Sequence, residues 1–150
     1  MNKTKKYIVD TCIINRLVEG HLSVDELPKD GEYFSTHIQI DEINKTQDEE
    51  KRARLFLTFA KQNDNIVPTK TTVCDVSRLD NCCLGDGAIY QKLKNILDRK
   101  NKNKKNNIQD ALIAEIALVD GMTLITADWD LKEAVESMSG SVVYFGNKNI

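Results

Sequence analysis

The sequence lacks any apolar run of the ~20 residues that a membrane-spanning helix needs. Its start, MNKTKKYIVD, is basic but carries no apolar stretch of signal-peptide length. A cytoplasmic protein is therefore expected. No CxxC pair occurs, and no nearby histidine completes a zinc-type set with Cys12, Cys74, Cys82 and Cys83. Two of these cysteines are adjacent, which makes a poor disulfide framework, so four reduced thiols are expected. Histidine is scarce as well: His21 and His37 stand alone and offer no pattern for metal-free acid–base chemistry. A basic excess is also missing, since 21 Lys and Arg face 23 Asp and Glu for a net charge of −2. That argues against a strong non-specific DNA binder, though not against local contact with phosphates. With no repeat and no linker, residues 1–150 read as one domain, long enough to bury a sizeable core.

What is present is an alternation of strand and helix patterns. KYIVD is short, β-branched and apolar, a buried strand running into a turn; CIINRLVEG then repeats apolar residues at helical spacing and stops at Gly20. EYFST predicts a second strand. Thr36 followed by Gln39 matches a capping box and starts a helix over HIQIDEINK. Residues 48–62 form an amphipathic helix that opens with acids, and NIVPT is a third strand whose Pro68 places it at an edge or exit. The stretch 71–86 is ambiguous. Residues 87–99 read as a helix, 100–106 as a basic flexible loop, and IQDALIAEIALVDG as the clearest helix of the chain. MTLIT, ADWDLKEAVESM and SVVYF then supply a strand, a helix and a last strand. Five strands separated by helices predict an α/β domain with a largely parallel sheet.

In such sheets functional residues gather beyond the carboxyl ends of the strands. Asp10 ends the first strand, and Asp128 follows MTLIT. Asp110 lies in the first turn of its helix, and Glu42 lies in the helix after EYFS. Four acids brought to one rim would repel one another unless a cation joined them, and oxygen donors without His or Cys favour Mg²⁺ or Mn²⁺. Each acid also has a plain structural reading. Asp10 could cap the helix 12–18, Asp110 could be an N3 acid after an Asn107 cap, and Asp128 could be an N-cap with Asp130 in its first turn. Glu42 could be a surface residue. A lysine-rich run, with Arg99, Lys100, Lys102, Lys104 and Lys105, could meet a nucleic-acid backbone or be a solvated loop.

The order of these motifs resembles the PIN domain, especially the single-domain PIN ribonucleases that serve as toxins in bacterial toxin–antitoxin pairs. YIVDTCIINRL looks like the family's opening strand with its terminal Asp and following hydroxyl residue, here Asp10 and Thr11. STHIQIDEI is similar to the Ser/Thr-led helix that carries Glu42. QDALIAEIALVDGMTLITADWDL resembles the remaining two motifs together, matched by Asp110, Thr126, Asp128 and Asp130. The resemblance implies a three-layer α/β/α fold about a central, mostly parallel sheet of about five strands. It implies Mg²⁺- or Mn²⁺-dependent hydrolysis of RNA, with Asp10, Asp110 and Asp128 on the metal. Glu42 would bind it or orient the attacking water, and Thr11, Thr126 and Asp130 would position groups nearby. Family habit adds a cognate antitoxin as partner, and a homodimer is expected as well, with the apolar surface of the helix 48–62 as one contact.

Other readings remain open at this point. A haloacid-dehalogenase-type phosphatase would want a second Asp where Cys12 stands, and a receiver domain an acidic pair where Lys5 and Lys6 stand. A catalytically silent PIN-like module that binds RNA or protein is the more serious rival.

Overall fold

Five short strands stack side by side in the order β3-β2-β1-β4-β5, every neighbouring pair parallel. The computed structural model describes residues 4–63, 65–70 and 87–146. The elements run β1 (Lys5–Val9), α1 (Thr11–Glu19), β2 (Gly31–Ser35), α2 (His37–Asn44), α3 (Glu49–Gln62), β3 (Asn65–Ile66), α4 (Ala88–Asn101), α5 (Asn107–Val119), β4 (Thr123–Thr126), α6 (Trp129–Ser137) and β5 (Val142–Tyr144). The ambiguous stretch 71–86, with Cys74, Cys82 and Cys83, lies outside the described residues.

Side-chain alternation along the strands divides the core in two. Ile8, Phe34 and Leu124 point to one face and pack with Leu93 and Leu97 of α4, Leu112 and Ile116 of α5, and Leu131 of α6. Tyr7, Val9, Tyr33 and Ile125 point to the other, against Ile13 and Ile14 of α1 and Leu55 and Phe59 of α3. The result is the three-layer α/β/α arrangement expected, with β1 at its centre. Because parallel strands need crossovers, each carboxyl end turns into a loop or helix start on the same rim.

The helix boundaries follow local chemistry. Gly20 ends α1 in the left-handed region (φ 80°), and its N–H reaches back to the carbonyls of Arg16 and Leu17. Thr36 and Gln39 form the capping box of α2, as their spacing predicts. Three expectations shift. The basic stretch taken as a loop over 100–106 begins two residues later, because α4 continues to Asn101 and closes on Lys102 and Asn103, both left-handed. Asn107 does not cap α5: it is the first helical residue, and its amide donates instead to Asp98 and Asn101. The third strand is only two residues long, since Pro68 has no N–H to continue the ladder. On α3, Leu55 and Phe59 turn inward and Phe56 packs on the core, leaving Leu57 as its exposed large apolar side chain. Among the described residues, no helix is long and apolar enough to cross a membrane.

Candidate active site

Asp10 follows the last residue of the central strand, with its N–H continuing the ladder onto the Ile125 carbonyl. It occupies the N-cap position of α1, yet its carboxylate caps nothing. Oδ2 instead accepts the Thr126 hydroxyl (2.9 Å) and the Cys12 thiol (3.2 Å). Thr126 ends β4, and the same hydroxyl oxygen accepts the Asp128 N–H at 3.0 Å. One hydroxyl thus links two of the four acids. Asp128 is the N-cap that its plain structural reading gives: Oδ1 accepts the N–H groups of Asp130 and Leu131, while Oδ2 faces the Lys104 ammonium at 4.0 Å.

Asp110 sits in the first turn of α5 and, like Asp10, is buried, at 7% and 5% exposure. Glu42 arrives from α2, whose start is fixed by Gln39. That side chain accepts from the Thr36 N–H and donates from Nε2 to the Val9 carbonyl, pinning the helix to the end of β1.

Burial is the main force on these acids, and their mutual charge is the second. Asp110 is held well above the usual carboxylate range by desolvation, then by the charges of Asp10, Asp128 and Glu42; Lys104 works in the opposite direction. Asp10 is raised by desolvation and by Asp128, against the Cys12 and Thr126 hydrogen bonds that favour its ionised form. Glu42 is pushed up to about 7 by desolvation, with Asp10 adding to the rise and the Thr11 hydroxyl and Lys45 opposing it. The fields of Asp10, Glu42, Asp110 and Asp128 therefore overlap at one rim. Asp130 contributes its N–H to the Asp128 cap.

The donor set suits a hard divalent cation. It consists of carboxylate and hydroxyl oxygens, and two of its buried atoms, Thr11 Oγ1 and Glu42 Oε1, make no hydrogen bond of normal geometry. The set is not drawn shut: among the described residues, no three His, Cys, Asp or Glu side chains have the arrangement of a ready cation site. The basic strip divides as well. Lys100 pairs with Glu133, Arg99 donates to the Asn95 carbonyl, and Lys102 and Lys105 are exposed, so Lys104 is the member that approaches the acids.

Two participants escaped the sequence reading. Cys12 reads as an ordinary thiol, but it donates to Asp10 and its sulfur receives the Ala127 N–H at 3.4 Å. Burial and the Asp10 charge push its thiol far up, so it stays a neutral donor. Gln39 was legible as a cap, not as a tie to β1, because its second partner lies 30 residues away.

No family model matches the chain, and no curated protein matches it in sequence. Solved structures do. The chain is similar to VapBC2 from Rickettsia felis, solved bound to a DNA fragment from its promoter, at 18% identity over 93% of this chain and 98% of that one, with a TM-score of 0.59. VapBC-1 from nontypeable Haemophilus influenzae gives 19% identity over 93% and 97%, also at 0.59. VapBC-5 from Mycobacterium tuberculosis, described as a member of the VapBC family of toxin–antitoxin systems, gives 18% over 95% and 98% at 0.51. At such identities the likeness is one of fold. The chain shares the α/β/α fold of these three VapBC structures and spans nearly the whole of each.

Proposed function

We propose that this protein is a Mg²⁺- or Mn²⁺-dependent endoribonuclease, the toxin of a toxin–antitoxin pair or a related defence nuclease. The observation that carries the reading is the gathering of Asp10, Glu42, Asp110 and Asp128, four acids from four elements, at the carboxyl rim, where Asp10, Glu42 and Asp110 are raised by burial and by acidic neighbours. A scaffold has no use for such a cluster, and a cation relieves it. Asp10, Asp110 and Asp128 would hold the cation, which when bound acidifies water and offsets charge on the phosphodiester oxygens.

The chain's own groups do the rest. Glu42, with a buried, unpartnered Oε1 and a pKa pushed up to about 7, takes a proton from the attacking water near neutral pH. Thr126 and Cys12 fix Asp10 by its Oδ2. Thr11 lies beside Glu42 and positions it, and Asp130 steadies the α6 start. Lys104 meets a phosphate oxygen at the rim, with Arg99, Lys100, Lys102 and Lys105 tracking the backbone further out. RNA, a cognate antitoxin and a second copy of the chain are the partners in this reading, and the cytoplasm its place.

The second reading, a catalytically silent RNA- or protein-binding module, is favoured by one observation: the described acids are not arranged as a finished cation site. Cleavage of RNA by the purified chain with Mg²⁺ or Mn²⁺ separates the two. The proposal expects cleavage by the wild type and a loss of a hundredfold or more, on the order of what one transition-state charge contributes, in Asp10→Asn and Asp110→Asn. Equal cleavage by all three proteins sinks the catalytic assignment. No cleavage by a folded wild type that still binds RNA establishes the silent module.

A further inference from the structure

A half-exposed tryptophan beside a cluster of carboxylates does nothing to hold a cation. Trp129 is the one tryptophan of the chain, it is 51% exposed, and it stands between Asp128 and Asp130 at the start of α6. Tryptophan is usually well covered in a folded protein. The core-facing side of α6 is occupied by others, since Leu131, Ala134 and Val135 are fully buried. Trp129 is on the helix but outside the core.

The ring is nonetheless held in place. Tyr144 meets it at a steep angle of 73°, with centroids 5.4 Å apart, and the Lys132 ammonium, paired with Glu136, lies 4.5 Å from its centroid. Tyr144 is itself set by the sheet: it is the register partner of Thr126, whose hydroxyl binds Asp10. Gly146 permits that position, because a Cβ there would overlap the Tyr144 hydroxyl and ring. Two aromatic rings therefore sit at the carboxyl rim of the sheet, and Trp129 is one residue from Asp128.

An anchored aromatic surface is the arrangement that receives unpaired nucleotides. Every base has a π-face, and stacking is indifferent to sequence. Paired bases keep their faces inside the duplex and cannot use it. Tryptophan also anchors protein partners, but adjacency to Asp128 at the rim favours a nucleotide here.

We propose that Trp129, backed by Tyr144, is the stacking platform for an unpaired base next to the phosphodiester held at the acid cluster. This rests on the ribonuclease reading above. The lone tryptophan makes it directly observable. In the full chain carrying Asp110→Asn, which disables the proposed chemistry, a short single-stranded oligoribonucleotide should quench the Trp129 emission in the presence of Mn²⁺. A blunt RNA duplex of the same composition should quench it far less. By fluorescence anisotropy of labelled RNA, adding Trp129→Ala should weaken binding about tenfold, and Trp129→Phe should restore most of it. With the wild-type site intact, Trp129→Ala should raise KM and leave kcat near its original value. Saturating RNA binding with unchanged emission, or equal affinity in all three proteins, overturns the platform while leaving the ribonuclease reading standing, and assigns the ring to a protein contact. Failure of the chain to bind single-stranded RNA, together with no cleavage by the wild type, overturns both.

Discussion

Asp10 illustrates how much one side chain can be told by its neighbours. Its position at the start of α1 suggests a cap, yet the Thr126 hydroxyl and Cys12 thiol claim Oδ2 and turn the carboxylate to the rim. Replacing Thr126 by Val keeps the shape and removes the hydroxyl, leaving the Asp128 N–H without its acceptor and Asp10 with one donor fewer. Because Thr126 is fully buried, the change should cost about 1–3 kcal/mol in urea denaturation. It should also weaken Mn²⁺ binding about 10–100-fold in a direct titration. Glu42 carries a pH signature. Its pKa rises from 4.5 to about 7 on folding, so the stability it contributes is fully present below 4.5 and is lost as pH climbs through about 7. In metal-free protein, Glu42→Gln should therefore melt close to wild type at pH 4 and above it at pH 8, by up to a few kcal/mol. Asp110→Asn should move the same way, since desolvation and three acidic neighbours raise its pKa too. A variant that melts below wild type at pH 8 contradicts this account of Glu42.

At the scale of elements, the site depends on how α2 is fastened. Gln39 closes the capping box with Thr36 and donates to the Val9 carbonyl, so it joins the helix that carries Glu42 to the strand that precedes Asp10. Gln39→Leu should cost about 1–3 kcal/mol by chemical denaturation, because it strands a buried N–H and a buried carbonyl together. Activity should fall further than the stability loss alone explains. The local half of this device is legible in the sequence, since a capping box is a spacing; the tie to β1 is not, because it spans 30 residues. The same distinction holds for α4. Its N-cap, Gly87, offers no side chain, and the Tyr90 N–H is met by Glu115 of α5, a partner no pattern in the helix announces. It holds again for the basic stretch, where the run of lysines was visible but not the left-handed turn that brings Lys104 toward Asp128.

For the molecule as a whole, alternating strand and helix patterns settled the layers, and parallel pairing settled which rim collects the strand ends. That is why Asp10 and Asp128, more than a hundred residues apart, could be placed together before any coordinates. The sequence does not carry the electrostatic state of the rim, which depends on how deeply each acid is buried. Asp10 and Asp110 are nearly inaccessible, Asp128 keeps a quarter of its side chain exposed, and Lys104 supplies partial relief. On the proposed reading, a cation that joined these carboxylates would stabilise the fold. Binding to the folded state alone raises stability by RT ln(1 + [L]/Kd), about 2.7 kcal/mol at a hundredfold excess over Kd. Mn²⁺ should accordingly raise the melting temperature at pH 7 by several degrees and much less at pH 4, where the acids hold protons.

The most direct test of the central claim is a calorimetric titration of Mn²⁺ into the full chain at pH 7, beside the Asp10→Asn and Asp110→Asn variants. The four-acid cluster predicts saturable binding to the wild type, weakened at least tenfold in each variant. No saturable binding to the wild type, or the same affinity in all three proteins, contradicts it.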